Sequence, residues 1–138
     1  MEITLKQQAK INQISKGHKL DLVVLHGSQA TGKIVTKDTD VDIAVFRRGG
    51  ISFKEQVDLI GKFMSIFGND VDLKTLHHKN PLFLFEVMRD AQLLYGNENF
   101  FNEFFIYAYK IYQDARPLYK NLTVIQKKRQ ELLNRKYA

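Results

Sequence analysis

No cysteine stands anywhere in the 138 residues. That excludes disulfide staples, thiolate metal centres and a nucleophilic thiol, and it suits a reducing compartment, so a cytoplasmic location is expected. No apolar run approaches the roughly 20 residues that span a bilayer. The opening MEITLKQQAK lacks the apolar core of a signal peptide, so a soluble protein with no membrane partner is expected. There is no internal repeat or low-complexity tract, and both prolines fall at what read as element boundaries rather than in a linker. A chain of 138 residues, 44% hydrophobic, has room for one real core and not for two, so any chemistry must come from one site.

What is present in excess is positive charge. The net charge of +6 invites a nucleic-acid reading, but its distribution matters more than its size. From residue 119 onward Lys120, Lys127, Lys128, Arg129, Arg135 and Lys136 stand against Glu131 alone, a net of +5 that leaves +1 for everything before. A basic terminal helix binds RNA, pairs with an acidic partner or is simply solvated. Here the solvated or partner-facing role is expected, and nucleic acid is not the expected partner.

Hydrophobic periodicity places the elements. Residues 3 to 16 read as a loose helix stopped near Gly17, and the apolar run from Leu20 to His26 as a strand buried on both faces. Val41 to Phe46 reads as a second strand, stopped by Arg47-Arg48-Gly49-Gly50. Ser52 and Glu55 have capping-box spacing ahead of a helix that carries Phe53, Val57, Ile60, Met64 and Phe67 up to Gly68. Val71 to Leu76 is a third strand, Asn80-Pro81 opens a helix to about Arg89, and a short strand follows at Gln92 to Tyr95. An aromatic stripe predicts a helix from Asn97 to Ala115, core in the main with an outer edge left for a partner. Pro117 is expected to break it, and a basic helix to follow from Asn121 to about Tyr137. This order predicts an α+β domain: a small mixed sheet with helices packed mainly on one face.

Three features carry chemistry. Asp40 and Asp42 lie two apart at the start of the second strand, so they point the same way while Val41, Ile43 and Val45 point to the other face. Carboxylates so placed repel, and divalent ions shared with substrate phosphates relieve that repulsion. Leu22 to Ser28 is a strand that runs directly into Gly27-Ser28 and a helix start, where backbone amides and a hydroxyl suit phosphate oxygens; otherwise Ser28 merely caps a turn. Asp72, within Asp70-Val71-Asp72-Leu73-Lys74, repeats the alternation of the second strand, whereas Asp70 reads as a turn residue. If the two strands are neighbours, Asp40, Asp42 and Asp72 share one face around a two-metal site.

Glycine-serine after one strand, D-x-D on the next and a single aspartate on a third, read here as LHGSQATGKIVTKDTDVDIAVF and DVDLKTL, resemble the DNA polymerase β nucleotidyltransferase superfamily. The closest resemblance is to minimal nucleotidyltransferases (MNT), antitoxins encoded beside HEPN-domain toxins. It covers Leu22 to Leu76, and a weaker likeness runs to about Tyr119. The resemblance implies a nucleotidyltransferase fold over residues 1–120, with residues 121–138 a basic helix packed on it or extending from it. It also implies ATP as substrate, with Gly27 and Ser28 on its terminal phosphates. Two Mg ions would be held by Asp40, Asp42 and Asp72, with Asp72 also helping to deprotonate the attacking hydroxyl. The acceptor it implies is a tyrosine of a cognate HEPN ribonuclease toxin, in a homo- or hetero-oligomer.

Two departures stand out. Eleven residues separate Ser28 from Asp40 where the family usually has ten, and Thr31 stands where an arginine is common. Lys33 or Lys37 is the expected substitute on the triphosphate. Two other readings compete: an antitoxin that blocks its partner by contact with little catalysis, and an RNA-binding module using the basic tail. His77 and His78 read as loop, and His26 as a structural histidine with its hydrogen bonds satisfied.

Overall fold

The computed structural model describes residues 1–32, 39–77 and 79–137; the expected phosphate-binding Lys33, with Lys37 and His78, lies outside the described residues. The order is α1 (Leu5–Gly17), β1 (Leu22–His26), α2 (Ser28–Thr31), β2 (Val41–Phe46), α3 (Phe53–Phe67), β3 (Val71–Thr75), α4 (Pro81–Arg89), β4 (Gln92–Gly96) and α5 (Glu98–Tyr137). Local chemistry sets the helix starts. Thr4 and Gln7 form a reciprocal capping box at α1, the Ser52 hydroxyl accepts from the Glu55 amide at 3.2 Å, and Asn80 accepts from the Phe83 amide at 2.8 Å with Pro81 in the first turn. Gly68, with φ of 71°, closes α3 in the left-handed conformation that glycine adopts without steric cost.

The four strands form one mixed sheet in the order β3-β2-β1-β4. β1 is antiparallel to both β2 and β4, and β2 runs parallel to β3 through the α3 crossover. β1 therefore lies in the interior of the sheet, as its apolar run predicts, and Leu22 through Leu25 are buried.

The expectation of helices mainly on one face is corrected: both faces are covered. Ile11, Leu59 and Phe63 of α1 and α3 pack on Val23, Leu25, Ile43 and Val45. Leu84, Val87 and Met88 of α4 and Ala108 of α5 pack on Leu22, Val24 and Ala44. The physical reason is in β1 itself, since a strand apolar at every position from Leu22 to Leu25 cannot leave either face there in water. On the second face Ala44 leaves room for α4 and α5, and the cover stops short of Asp42.

The expected break at Pro117 is also corrected, because α5 is one helix of 40 residues with Pro117 inside it. A proline there removes one backbone donor and ordinarily kinks or stops a helix. Here side chains on both sides of it are held by α4: Tyr112 stacks on Phe85 with ring centroids 4.2 Å apart, and the Tyr119 hydroxyl accepts from the Leu82 amide at 3.2 Å. Beyond Tyr119 the helix leaves the domain, and every residue from Lys120 to Tyr137 is exposed. The basic segment is thus the distal half of α5 rather than a separate helix.

Arg47, at the end of β2, ties three elements together. Its guanidinium gives two 2.8 Å hydrogen bonds to the Glu55 carboxylate of α3, and donates to the carbonyls of His18, beyond α1, and Gly50, each at 3.0 Å. The bidentate hydrogen bond from Arg47 pulls Glu55 from its ordinary 4.5 to about 2. A carboxyl so depressed contributes stability that is complete above its unfolded pKa and lost as pH falls through its folded one. Glu55→Gln is therefore expected to lower urea resistance at pH 7 and to approach the native chain's resistance as pH drops from 4.5 towards 2. An equal deficit at pH 7 and pH 2 would show that the pair acts through packing alone.

Candidate active site

Strand register brings the chemistry together. His26 of β1 is the pairing partner of Asp42 of β2, and Asp42 is the pairing partner of Asp72 of β3. The three thus form a row across three strands, neighbours about 4.8 Å apart. They lie on the α4 and α5 face, at the end those helices leave open. Asp40, exposed, immediately precedes β2. The Val41 amide donates to the Asp70 carbonyl at 2.8 Å, fixing the start of β2 against the start of β3. Asp70 precedes β3, as its reading as a turn residue implies.

Gly27 stands directly beyond this row. Its backbone, at φ 73° and ψ −156°, occupies a region essentially reserved for glycine. A Cβ built on it would collide with the Asp42 carboxylate oxygen and lie 3.2 Å from the carboxyl carbon. Glycine is thus what lets the turn and Asp42 approach each other. The Gly27 carbonyl accepts from the amides of Ala30 and Thr31 and so starts α2, with Ser28 as its first residue. Buried Gln29 reaches the Thr39 carbonyl at 3.5 Å and ties α2 to the residue before Asp40.

The electrostatics are those of crowded acids. Burial, chiefly, and the nearby Asp72 and Asp40 push the Asp42 carboxyl above its ordinary range, against the lowering effects of His26 and Lys74. Desolvation holds His26 below its ordinary pKa in spite of Asp42 and Asp72. Its Nε2 is buried without a hydrogen-bond partner, which corrects the expectation of a satisfied structural histidine. Lys74 Nζ lies 3.5 Å from the Asp72 carboxylate. An all-oxygen donor set of mutually repelling carboxylates fits a hard divalent cation. Among the described residues no three His, Asp or Glu side chains yet converge on one cation position. A groove of about 680 Å³ runs between α1 and β4 past Gln8, Asn12 and Tyr95, and Asp40, Asp42 and Asp72 do not line it.

Residues 9–100 match the polymerase β nucleotidyltransferase family. The chain belongs to that family. No curated protein sequence matches it significantly. Among solved structures, this nucleotidyltransferase is similar to a chain of a toxin-antitoxin crystal structure with AMP-PNP, at 24% identity and a TM-score of 0.68, covering 95% of this chain and 98% of that one. A chain of the MntA-HepT toxin-antitoxin structure is similar at 22% identity and a TM-score of 0.64, covering 98% and 100%. So is one from the Shewanella oneidensis complex of a tri-AMPylated HEPN toxin with MNT antitoxin, at 25% identity and a TM-score of 0.60, covering 96% and 99%. The fold is that of the nucleotidyltransferases.

Of the residues singled out in the sequence, the structure brings Gly27, Asp42 and Asp72 together, sets Asp40 and Ser28 beside them, and keeps Asp72 paired with Lys74. Lys74 was legible, because it follows Asp72 by two on a strand and must share its face. The vacant hydrogen-bonding position on His26 was not, since it depends on what the neighbouring strands bring.

Two substitutions test this geometry. Gly27→Ala forces a disfavoured backbone and a collision with Asp42, and is expected to cost about 1–3 kcal/mol in urea denaturation; an unchanged midpoint would mean the turn is free to rearrange. Asp42→Asn removes a repelled, partly buried charge. Since the folded carboxyl is raised, its ionised form opposes folding above that pKa. In metal-free buffer the variant is expected to melt a few degrees higher than the native chain, and a lower melting point would refute the repulsion.

Proposed function

We propose that this nucleotidyltransferase transfers AMP from ATP, in a Mg-dependent reaction, to a tyrosine hydroxyl of a cognate HEPN ribonuclease toxin and thereby acts as its antitoxin. The observation that carries the reading is the register pairing of Asp42 with Asp72, next to a turn that only glycine can make. Similarity to a toxin-antitoxin structure with AMP-PNP supports the nucleotide, and similarity to the complex holding a tri-AMPylated HEPN toxin supports the group transferred and its acceptor.

In this reading, Gly27 and Ser28 bind the terminal phosphates, with Lys33 in place of the arginine that Thr31 replaces. Asp40 and Asp42 hold the metal ions, and Asp72 completes their ligand set once it turns away from Lys74. When bound, two divalent ions neutralise the phosphates and stabilise charge on the attacking and leaving oxygens. The tyrosine oxygen forms a bond to the α-phosphorus, the bond from that phosphorus to the α,β-bridging oxygen breaks, and pyrophosphate leaves. The phenolic proton passes to the Asp72 carboxylate. The chain's own contribution is positioning and charge placement.

The test uses the full chain, Mg and ATP labelled at the α-phosphate, with the HEPN protein encoded beside its gene. Label is expected on that protein and to fall about a thousandfold with Asp40→Asn and Asp42→Asn together, in line with losing a preorganised electrostatic site. A stable complex without any label would favour inhibition by contact instead.

A further inference from the structure

The distal half of α5 carries an apolar stripe that nothing in the domain covers. Phe104 and Ile111 belong to the stripe where α5 lies on the domain, packed against the core around Leu84 and Met88. The same stripe continues past Pro117 as Leu118, Leu122, Ile125 and Leu132, at intervals of three, four and seven residues, which share one helical face. There the four are 60%, 43%, 48% and 62% exposed. A protruding helix of some 18 residues is marginal in water by itself, and most helical stability comes from packing an amphipathic face.

Charge identifies the occupant. Lys128 and Arg135 edge the stripe, and Arg129 and Lys136 fall within it towards the tip, against Glu131 alone among the carboxylates of this segment. A second copy laid on the stripe would bring +5 against +5, and in parallel register would set Arg129 and Lys136 against themselves. RNA would pair with the cations but leave Leu118, Leu122 and Ile125 in water. An apolar face flanked by carboxylates satisfies both.

We infer that residues 118–137 form a docking arm whose occupant is an amphipathic helix with acidic flanks, supplied by the acceptor protein that the acid site modifies. This rests on the proposed function for the identity of the acceptor, and goes beyond it in placing capture on a surface separate from the acids. An arm that holds the acceptor would account for how a domain of this size, with an open site, selects one protein.

The experiment measures binding of the full chain to the HEPN protein encoded beside its gene by calorimetry, with transfer of labelled AMP followed in the same samples. Two arm variants are compared with the native chain: Leu122→Asp with Ile125→Asp, and Lys128→Glu with Arg135→Glu. A control carries Lys10→Glu with Lys54→Glu, on α1 and α3. All six positions are exposed, so circular dichroism and melting are expected to be preserved. The stripe variant is expected to weaken binding about a hundredfold, as when central apolar anchors are lost. The charge variant is expected to weaken it about tenfold and to flatten its salt dependence. The control is expected to bind like the native chain.

Unchanged affinity in both arm variants, with label still transferred, would overturn the arm and leave the acid site's reading standing. Association of the native chain with itself that Leu122→Asp abolishes, or capture of a labelled single-stranded RNA that only the charge variant loses, would also overturn it by naming a different occupant. No binding and no transfer by the native chain would remove both readings together.

Discussion

The site depends on the register of β2 between its two neighbours. Because side chains alternate along a strand, a slip of one residue would drive Asp42 into the core under α1 and α3 and carry Ile43 out to the open end. What prevents the slip is apolar: Val41, Ile43 and Val45 are buried under one pair of helices, and Ala44 under the other. The acids are therefore positioned by groups that take no part in their chemistry. A repelled Asp42 carboxylate that opposes folding is tolerated because the strand bearing it is held elsewhere.

Gly27 and Arg47 show the same division of labour at opposite ends of β2. At the start of the strand, the glycine turn closes on Asp42 and leaves the carboxylate crowded. At its end, Arg47 satisfies the Glu55 carboxylate and the carbonyls of His18 and Gly50. The bidentate ion pair is scaffold, and the crowded end, where the Asp42 carboxylate is repelled by its neighbours, is where a cationic ligand has something to gain.

Much of this was legible in the sequence. Caps at Ser52 and Asn80, the apolar run of β1 and the alternation around Asp42 and Asp72 are local patterns, and each led to its element. Three expectations, the single covered face, the break at Pro117 and the satisfied His26, failed for want of tertiary information. The covering of both faces follows from β1 only when it is recognised as an interior strand, and the acidic alternation of β2 suggested an open face that is open only at one end. Pro117 obeys its local rule until α4 supplies Tyr112 and Tyr119 with partners on either side of it. The pairing of Asp42 with both His26 and Asp72 required the strand order, which no local pattern contains.

The continuity of α5 through Pro117 has a geometric consequence. With no flexible joint after Tyr119, the last turns extend about 27 Å from the domain at 1.5 Å per residue. A flexible tail of the same composition would sample a broad cloud of positions around its root. A rod instead works as a ruler: whatever rests on its tip is held at a fixed radius and bearing from the three carboxylates.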